Sequence, residues 1–260
     1  MDLGLSGKHA LVLGASRGLG LAAARRLCEE GADVTLCARN EKTLGEALQG
    51  LRRYGTQIHA AAVDLTDTNS VRNLIARLAG DGAPDILVNN SGGPAPGPVV
   101  GIPAERWQAD FQAMAVSLFS ITSAVVPRMQ EKGFGRIITI VSSGVSQPIA
   151  NLGVSNAVRA AIVGWSKTLA NEVAAKGVTV NCIAPGRIHT SRVDELDAAA
   201  AKKAGKTVEE VRSASIAAIP VGRYGRPEEL GDVVAFIASE RASYINGSVI
   251  RVDGGFIRSI

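Results

Sequence analysis

Short β-branched or aliphatic runs alternate with helical patterns along almost the whole chain, and this alternation constrains the fold more than any other feature. Residues 9–13, 34–37, 58–63, 86–88, 136–141, 178–183 and 249–252 read as strands. Between them, Leu44, Ala47, Leu48 and Leu51 fall at i, i+3, i+4 and i+7, as do Val71, Leu74, Ile75 and Leu78, and Leu230, Val233, Val234 and Ile237. Those stripes are helix faces that need a sheet to cover. Strands that are apolar along nearly their whole length belong in a parallel sheet buried on both sides, because a sheet with one wet face alternates polar and apolar residues. The chain therefore reads as α/β, a doubly wound parallel sheet of about seven strands with helices on both faces. Pro103 and Pro227 stand where a first helical turn begins, and Thr207 with Glu210 has capping-box spacing.

With 260 residues, 46% of them hydrophobic, and no Ser/Gly linker, the chain fits a single domain spanning residues 1–260. Lys and Arg number 28 against 24 Asp and Glu, a formal +4. The basic residues come as scattered pairs, Arg25-Arg26, Arg52-Arg53 and Lys202-Lys203, rather than as a stripe, so no nucleic-acid partner is expected. Cys28, Cys37 and Cys182 match neither a disulfide framework nor a metal pattern and read as reduced thiols. The start lacks the basic-then-apolar order of a signal peptide, and no run of about 18 apolar residues occurs, so a cytoplasmic protein with no membrane partner is expected.

In a doubly wound sheet the ligand lies outside the carboxyl ends of the strands. Directly after the first strand comes Gly14-Ala15-Ser16-Arg17-Gly18-Leu19-Gly20, followed by a helical stretch. Such glycines let the chain turn sharply and bring backbone N–H groups against a pyrophosphate at a helix N-terminus. The plainer reading is a turn needed only for strand-to-helix packing. Further motifs close the other strands: Asp64-Leu65, Asn89-Asn90-Ser91-Gly92, Ser142, Pro185-Gly186-Arg187-Ile188-His189-Thr190 and Val252-Asp253-Gly254-Gly255.

With these motifs the chain resembles the short-chain dehydrogenase/reductase family over nearly its whole length, and within it the 3-oxoacyl-(acyl carrier protein) reductases. The family's TGxxxGxG is met save for Leu13 in place of Thr, and Ser91 replaces a usual Ala. The resemblance implies a Rossmann-type fold and a nicotinamide cofactor. Gly14, Ser16, Arg17, Gly18, Leu19 and Gly20 would then hold its pyrophosphate, and Asp64 and Leu65 flank the adenine. Asn90, Ser91 and Gly92 would line the adenosine side, while Pro185, Gly186, Ile188 and Thr190 hold the carboxamide and phosphate end.

An acid at the end of the second strand would bond a ribose 2′-OH and repel a 2′-phosphate. Here that strand ends Cys37-Ala38-Arg39-Asn40, and Arg17 sits in the glycine turn, so two guanidinium groups and Asn40 are available to a phosphate. NADP is expected rather than NAD, unless both arginines are merely solvated charges.

The family's proton chemistry uses a Tyr, a Lys four residues later, a Ser on the fifth strand and an Asn on the preceding helix. In the matching register Ser142 is kept, but the Tyr position is Ser155, the Lys position Arg159 and the Asn position Met114. A Ser hydroxyl is a far weaker acid than a phenol; a guanidinium keeps the charge and could grip ribose hydroxyls but passes no proton; a thioether orders no relay water. His189, or a water positioned by Ser155 and Ser143, is left as proton source. Two readings stay open. One is an NADP-dependent oxidoreductase working on a carbonyl/alcohol pair, 3-oxoacyl-like, by an atypical proton route through Ser142, Ser155 and Arg159. The other is a nucleotide-binding regulatory or structural protein without turnover.

Residues 92–98 read as an ordered turn at the pocket rim and 191–219 as a helical lid. Its Lys202, Lys203 and Lys206 suit a small-molecule or acyl-carrier substrate, or are simply a solvated face. Residues 221–230 and 253–255 resemble the family's subunit-pairing elements, which implies a homotetramer or homodimer. Trp107 and Trp165 read as core or interface anchors.

Overall fold

A computed structural model describes residues 1–81 and 83–259. Seven parallel strands form one sheet in the order β3-β2-β1-β4-β5-β6-β7. They are β1 (His9–Leu13), β2 (Asp33–Ala38), β3 (Ile58–Ala62), β4 (Ile86–Asn89), β5 (Gly135–Ile140), β6 (Val178–Pro185) and β7 (Val249–Val252). Chain order reverses between β1 and β4, whose registers pair Ala10 with Ile86 and Val12 with Val88.

The central strands β4, β5 and β6 are buried along their whole length, as continuous apolar runs in a parallel sheet require. The two edges depart from that expectation. His59, Ala60 and Ala62 of β3 are exposed, and β7 alternates exposed Val249 and Arg251 with half-buried neighbours, because an edge strand has a helix over only part of it.

Each face has its own core. On one side α1 (Gly18–Glu29), α2 (Glu41–Leu51) and α9 (Pro227–Ala238) bury Ala23, Leu27, Leu44, Leu51, Leu230 and Val234 against Val12, Leu36 and Ile138. On the other, α3 (Thr68–Asp81), α5 (Ser117–Lys132) and α6 (Gly153–Val173) bury Leu74, Leu118, Ile121, Val158 and Ile162 against Leu11, Leu87 and Ile137. Pro227 occupies the first turn of α9, whereas Pro103 lies one residue earlier than expected, at the N-cap of α4 (Ala104–Phe111).

A π-helical turn, Gln112–Val116, joins α4 to α5 and carries buried Met114. The resulting stretch Ala104–Lys132 is, at 29 residues, long and apolar enough to cross a bilayer by length and composition. Here its apolar face, Met114, Ala115, Leu118, Ile121, Val125 and Met129, is consumed by the core. Cys28, Cys37 and Cys182 are free and buried, and burial pushes the thiol of Cys28 up to about 11 and that of Cys37 up to about 12.

Residues 191–219 are helical as expected: α7 (Ser191–Ala204) and α8 (Val208–Ala217), the latter started by the Thr207–Glu210 capping box. A small apolar cluster of Val193, Ile219 and Tyr224 fastens this pair to the body. Asp197 lies fully buried beneath it, accepting from Tyr224 Oη at 2.8 Å and paired with Arg187.

Candidate functional site

The reversal between β1 and β4 opens a crevice at the carboxyl ends of the strands, and the glycine turn lines it. Gly14 has φ +61°, and a Cβ there would come within 2.6 Å of Asn90 Nδ2. A Cβ on Gly20 would run into the Gly14 carbonyl oxygen. Asn90 Nδ2 donates to that carbonyl at 3.3 Å, tying the turns after β1 and β4 together. Helix α1 begins at Gly18 with Arg17 at its N-cap, and no side chain caps it. Its first-turn amides and positive dipole end are therefore left for an anion, in a bend too tight for any side chain but glycine's. This cradle fits the diphosphate of a dinucleotide. No group of His, Cys, Asp or Glu able to hold a metal occurs among the described residues.

Arg17 and Arg39 are both exposed, and neither forms an ion pair among the described residues. Arg39 follows β2, with its charge felt by Asp64 beyond β3; the Asp64 carboxyl lies below its usual range first because it accepts from the Thr66 amide and hydroxyl. Asn40, expected to serve the ligand, caps α2 instead, its Oδ1 accepting from the Thr43 amide at 3.0 Å. Leu65 offers its carbonyl to Ser117 Oγ at 2.7 Å. Ser16 and Leu19 are half-buried, Gly92 is open, and Ser91 is buried with an Oγ that has no partner.

Beyond β6, Pro185 is buried in the strand end and Gly186 packs on Asp253, donating to the Val252 carbonyl at 3.0 Å. Ile188 is buried and bridges to Gly225. Thr190 N-caps α7 without using its hydroxyl and approaches Gly18, so the loop after β6 meets the glycine turn. The sequence-predicted ligand residues after β1, β4 and β6 are thus brought to one crevice.

Across the crevice, Arg159 on α6 is the hub. Its Nη1 donates to the Ile140 carbonyl, the last residue of β5, at 2.9 Å, and its Nε donates to Ser155 Oγ, one turn earlier on the helix, at 3.3 Å. Ser142, two residues past Ile140, accepts from the Gly144 amide at 3.0 Å. Both hydroxyls accept from nitrogen and so keep their own protons free to donate outward. Arg159 is 8% exposed, and burial first, then the charge of Arg192, holds its guanidinium down to about 10. Met114 is buried and brings no polar atom but its thioether. His189 is largely exposed, with Nε2 3.3 Å from Asp194 Oδ1.

Arg192 was not singled out by the sequence, since a lone Arg in a helix's first turn reads as surface. It reaches from α7 to the turn 92–98, where its Nη2 donates to the Pro94 carbonyl at 2.9 Å. Its place two residues after Thr190, in the segment leaving a strand's carboxyl end, was the available signal. Lys202, Lys203 and Lys206 are exposed, and Lys203 Nζ donates to Asn151 Oδ1 at 3.0 Å, so at least one of them fastens the lid to the rim.

A family model described as enoyl-(acyl carrier protein) reductase matches residues 14–257. The chain is 37% identical to nodulation protein G of Azospirillum brasilense over 254 residues, 96% of this chain and 98% of that one. It is 36% identical to 3-oxoacyl-[acyl-carrier-protein] reductase FabG of Vibrio cholerae over 257 residues, 97% and 98% of the two chains. Among solved structures, L-sorbose reductase from Gluconobacter frateurii, complexed with NADPH and L-sorbose, superposes with a TM-score of 0.94 at 33% identity, all of both chains covered. With the family model matched over residues 14–257 and these relatives alike over nearly their whole length, the chain belongs to the short-chain dehydrogenase/reductase family of oxidoreductases.

Proposed function

We propose that this protein binds NADP(H) in the crevice and reduces a carbonyl compound, 3-oxoacyl-like in shape, with Ser142, Ser155 and Arg159 as its catalytic residues. The observation that carries the reading is the Ser155–Arg159–Ile140 linkage, which fixes a cation and a polarised hydroxyl beside Ser142 although the family's Tyr and Lys are gone. The relatives support the cofactor, since the sorbose reductase was solved with NADPH.

The residues divide the work by position. Gly14, Ser16, Arg17, Gly18, Leu19 and Gly20 would hold the diphosphate, Arg39 the 2′-phosphate, Asp64 and Leu65 the adenine edge, and Asn90, Ser91 and Gly92 the adenosine side. Asn40 would contribute through its backbone, because its side chain is engaged in the α2 cap. Pro185, Gly186, Ile188 and Thr190 would hold the nicotinamide end. Bound NADPH supplies the hydride. Ser142 donates to the carbonyl oxygen, and Ser155, accepting from a guanidinium, donates as a stronger hydrogen-bond acid than a free serine. Arg159 stabilises the developing oxyanion electrostatically from a low-dielectric position. Because it stays protonated at neutral pH, the proton taken up by the product alcohol comes from water held by Ser155 and Ser143.

Met114 favours a second reading, cofactor binding without turnover, because a thioether in place of a carboxamide orders no relay water. NADPH deuterated at C4 on either face, assayed with small oxo acids, ketoacyl thioesters and simple ketones, separates the two. Stereospecific transfer of deuterium to product supports reduction. Tight NADPH binding with no transfer, joined by activity in a Ser155→Tyr, Arg159→Lys double variant, establishes the second reading. A homotetramer or homodimer in the cytoplasm completes the reading, on the resemblance of residues 221–230 and 253–255 to the family's subunit-pairing elements.

A further inference from the structure

Arg159 reaches the end of β5 at the Ile140 carbonyl, and Arg192 reaches the rim turn at the Pro94 carbonyl, close enough for its charge to act on Arg159. Arg159 comes from α6 and donates only to neutral oxygens, Ser155 Oγ and the Ile140 carbonyl. Arg192 comes from the first turn of α7, and its charge is the one that Arg159 feels. Among the described residues, no carboxylate pairs with Arg159, and those near Arg192 are mostly engaged elsewhere. Asp194 is taken by Arg212 and His189, and Asp197 by Arg187 and Tyr224. Glu195 alone meets Arg192, at 3.3 Å and with half its side chain in water, an arrangement that contributes little and yields readily to a competitor. The other arm of Arg192 rests on the neutral Pro94 carbonyl at the rim turn.

Resting on the reductase reading above, we propose that Arg192 is a specificity-determining residue that binds a carboxylate on the substrate, so that the substrate class is small oxo acids rather than neutral ketones or acyl thioesters. A guanidinium fork matches a carboxylate with two parallel hydrogen bonds and displaces a surface glutamate at little cost. An anion there also relieves the repulsion between Arg192 and Arg159, which a neutral ester or thioester leaves in place. Carboxylate binding lifts Nη2 or Nη1 from its present partner without touching Ser142, Ser155 or the glycine turn.

Pyruvate, acetoacetate and levulinate, each paired with its methyl ester, and the acetoacetyl thioester of N-acetylcysteamine test this. Turnover with NADPH is one arm. Calorimetric titration into the NADP⁺-saturated protein is the other and needs no turnover. The best acid is expected to bind and react at least roughly tenfold better than its ester. The Arg192→Met variant removes that gap, Arg192→Lys restores part of it, and NADPH affinity stays within about twofold in both. Esters or the thioester equalling the acids in the wild type would overturn the inference and leave the reductase reading intact. A roughly tenfold loss of NADPH affinity in Arg192→Met, with the acid–ester gap unchanged, assigns Arg192 to the cofactor and overturns it as well. Absence of hydride transfer to every probe overturns the reductase reading instead, while the calorimetric comparison of acid with ester still decides the carboxylate.

Discussion

Replacing Arg159 with Met should cost the protein its chemistry while leaving its stability almost untouched. Burial and Arg192 hold the guanidinium down to about 10, well below its ordinary range, which corresponds to roughly 3 kcal/mol against the charged form inside the fold. Its two hydrogen bonds, to Ile140 at 2.9 Å and to Ser155 at 3.3 Å, return about 1.5 kcal/mol each at the lower end of the range for a charged donor. The two sums nearly cancel, so Arg159→Met is expected within about 1.5 kcal/mol of the wild type at neutral pH, a shift of at most about 5 °C in Tm. Ile162→Ala, one turn further along α6 and 1% exposed, supplies the contrast with an expected loss of about 2–5 kcal/mol. The pH dependence carries a sign. Below pH 10 both folded and unfolded chains hold the proton and the cost is fully present; above pH 10 the folded chain releases it first, the unfolded state binds more protons, and stability rises with pH. The wild type should therefore gain on Arg159→Met above pH 10. Urea unfolding, followed by the fluorescence of Trp165, which stacks on Phe119 at 4.2 Å, reads both quantities. A loss above roughly 3 kcal/mol at neutral pH, or no relative gain at alkaline pH, would refute the reasoning.

Arg39→Asp should weaken NADPH by about tenfold or more and leave NADH unchanged or improved in calorimetry, since a carboxylate repels the 2′-phosphate that Arg39 is proposed to hold. Gly20→Ala drives a methyl into the Gly14 carbonyl; it should lower stability by about 1–3 kcal/mol in thermal melts and NADPH affinity by at least about tenfold, and intact affinity would mean that the bend does not hold the diphosphate.

What the sequence disclosed follows from how local each signal is. Strand-helix alternation and the glycine turn are written in consecutive residues, so the parallel sheet and the ligand end of its first strand were legible, whereas the strand order that sets the reversal between β1 and β4 was not. Register with the family likewise brought Ser155 and Arg159 together, and they are hydrogen-bonded. The exposed residues of β3 and β7 were not legible, because burial on an edge depends on which helix lies over it rather than on the strand's own letters. Nor was the π-helical turn at Gln112–Val116, where the i→i+5 bonding reflects tertiary packing around Met114. That the Asn40 side chain caps α2 was not legible either, because a residue of this type after a strand serves a ligand or a helix start equally well. Arg192 and Asp197 escaped notice for a different reason: the first two turns of α7 mix both signs of charge, Arg192, Asp194, Glu195 and Asp197, and only the folded chain tells a solvated charge from a buried one.

The three concealed sulfurs have a practical corollary. Alkylating dyes attack the thiolate, and Cys28, Cys37 and Cys182 all have their ionisation displaced upward by the apolar surroundings that shield them. The native chain is thus nearly silent to such reagents and presents a blank background. One cysteine placed on the exposed side of α7, at Lys202 for example, would carry the sole attached dye, and whether α7 moves when nucleotide or substrate is added could be read on the unmutated interior.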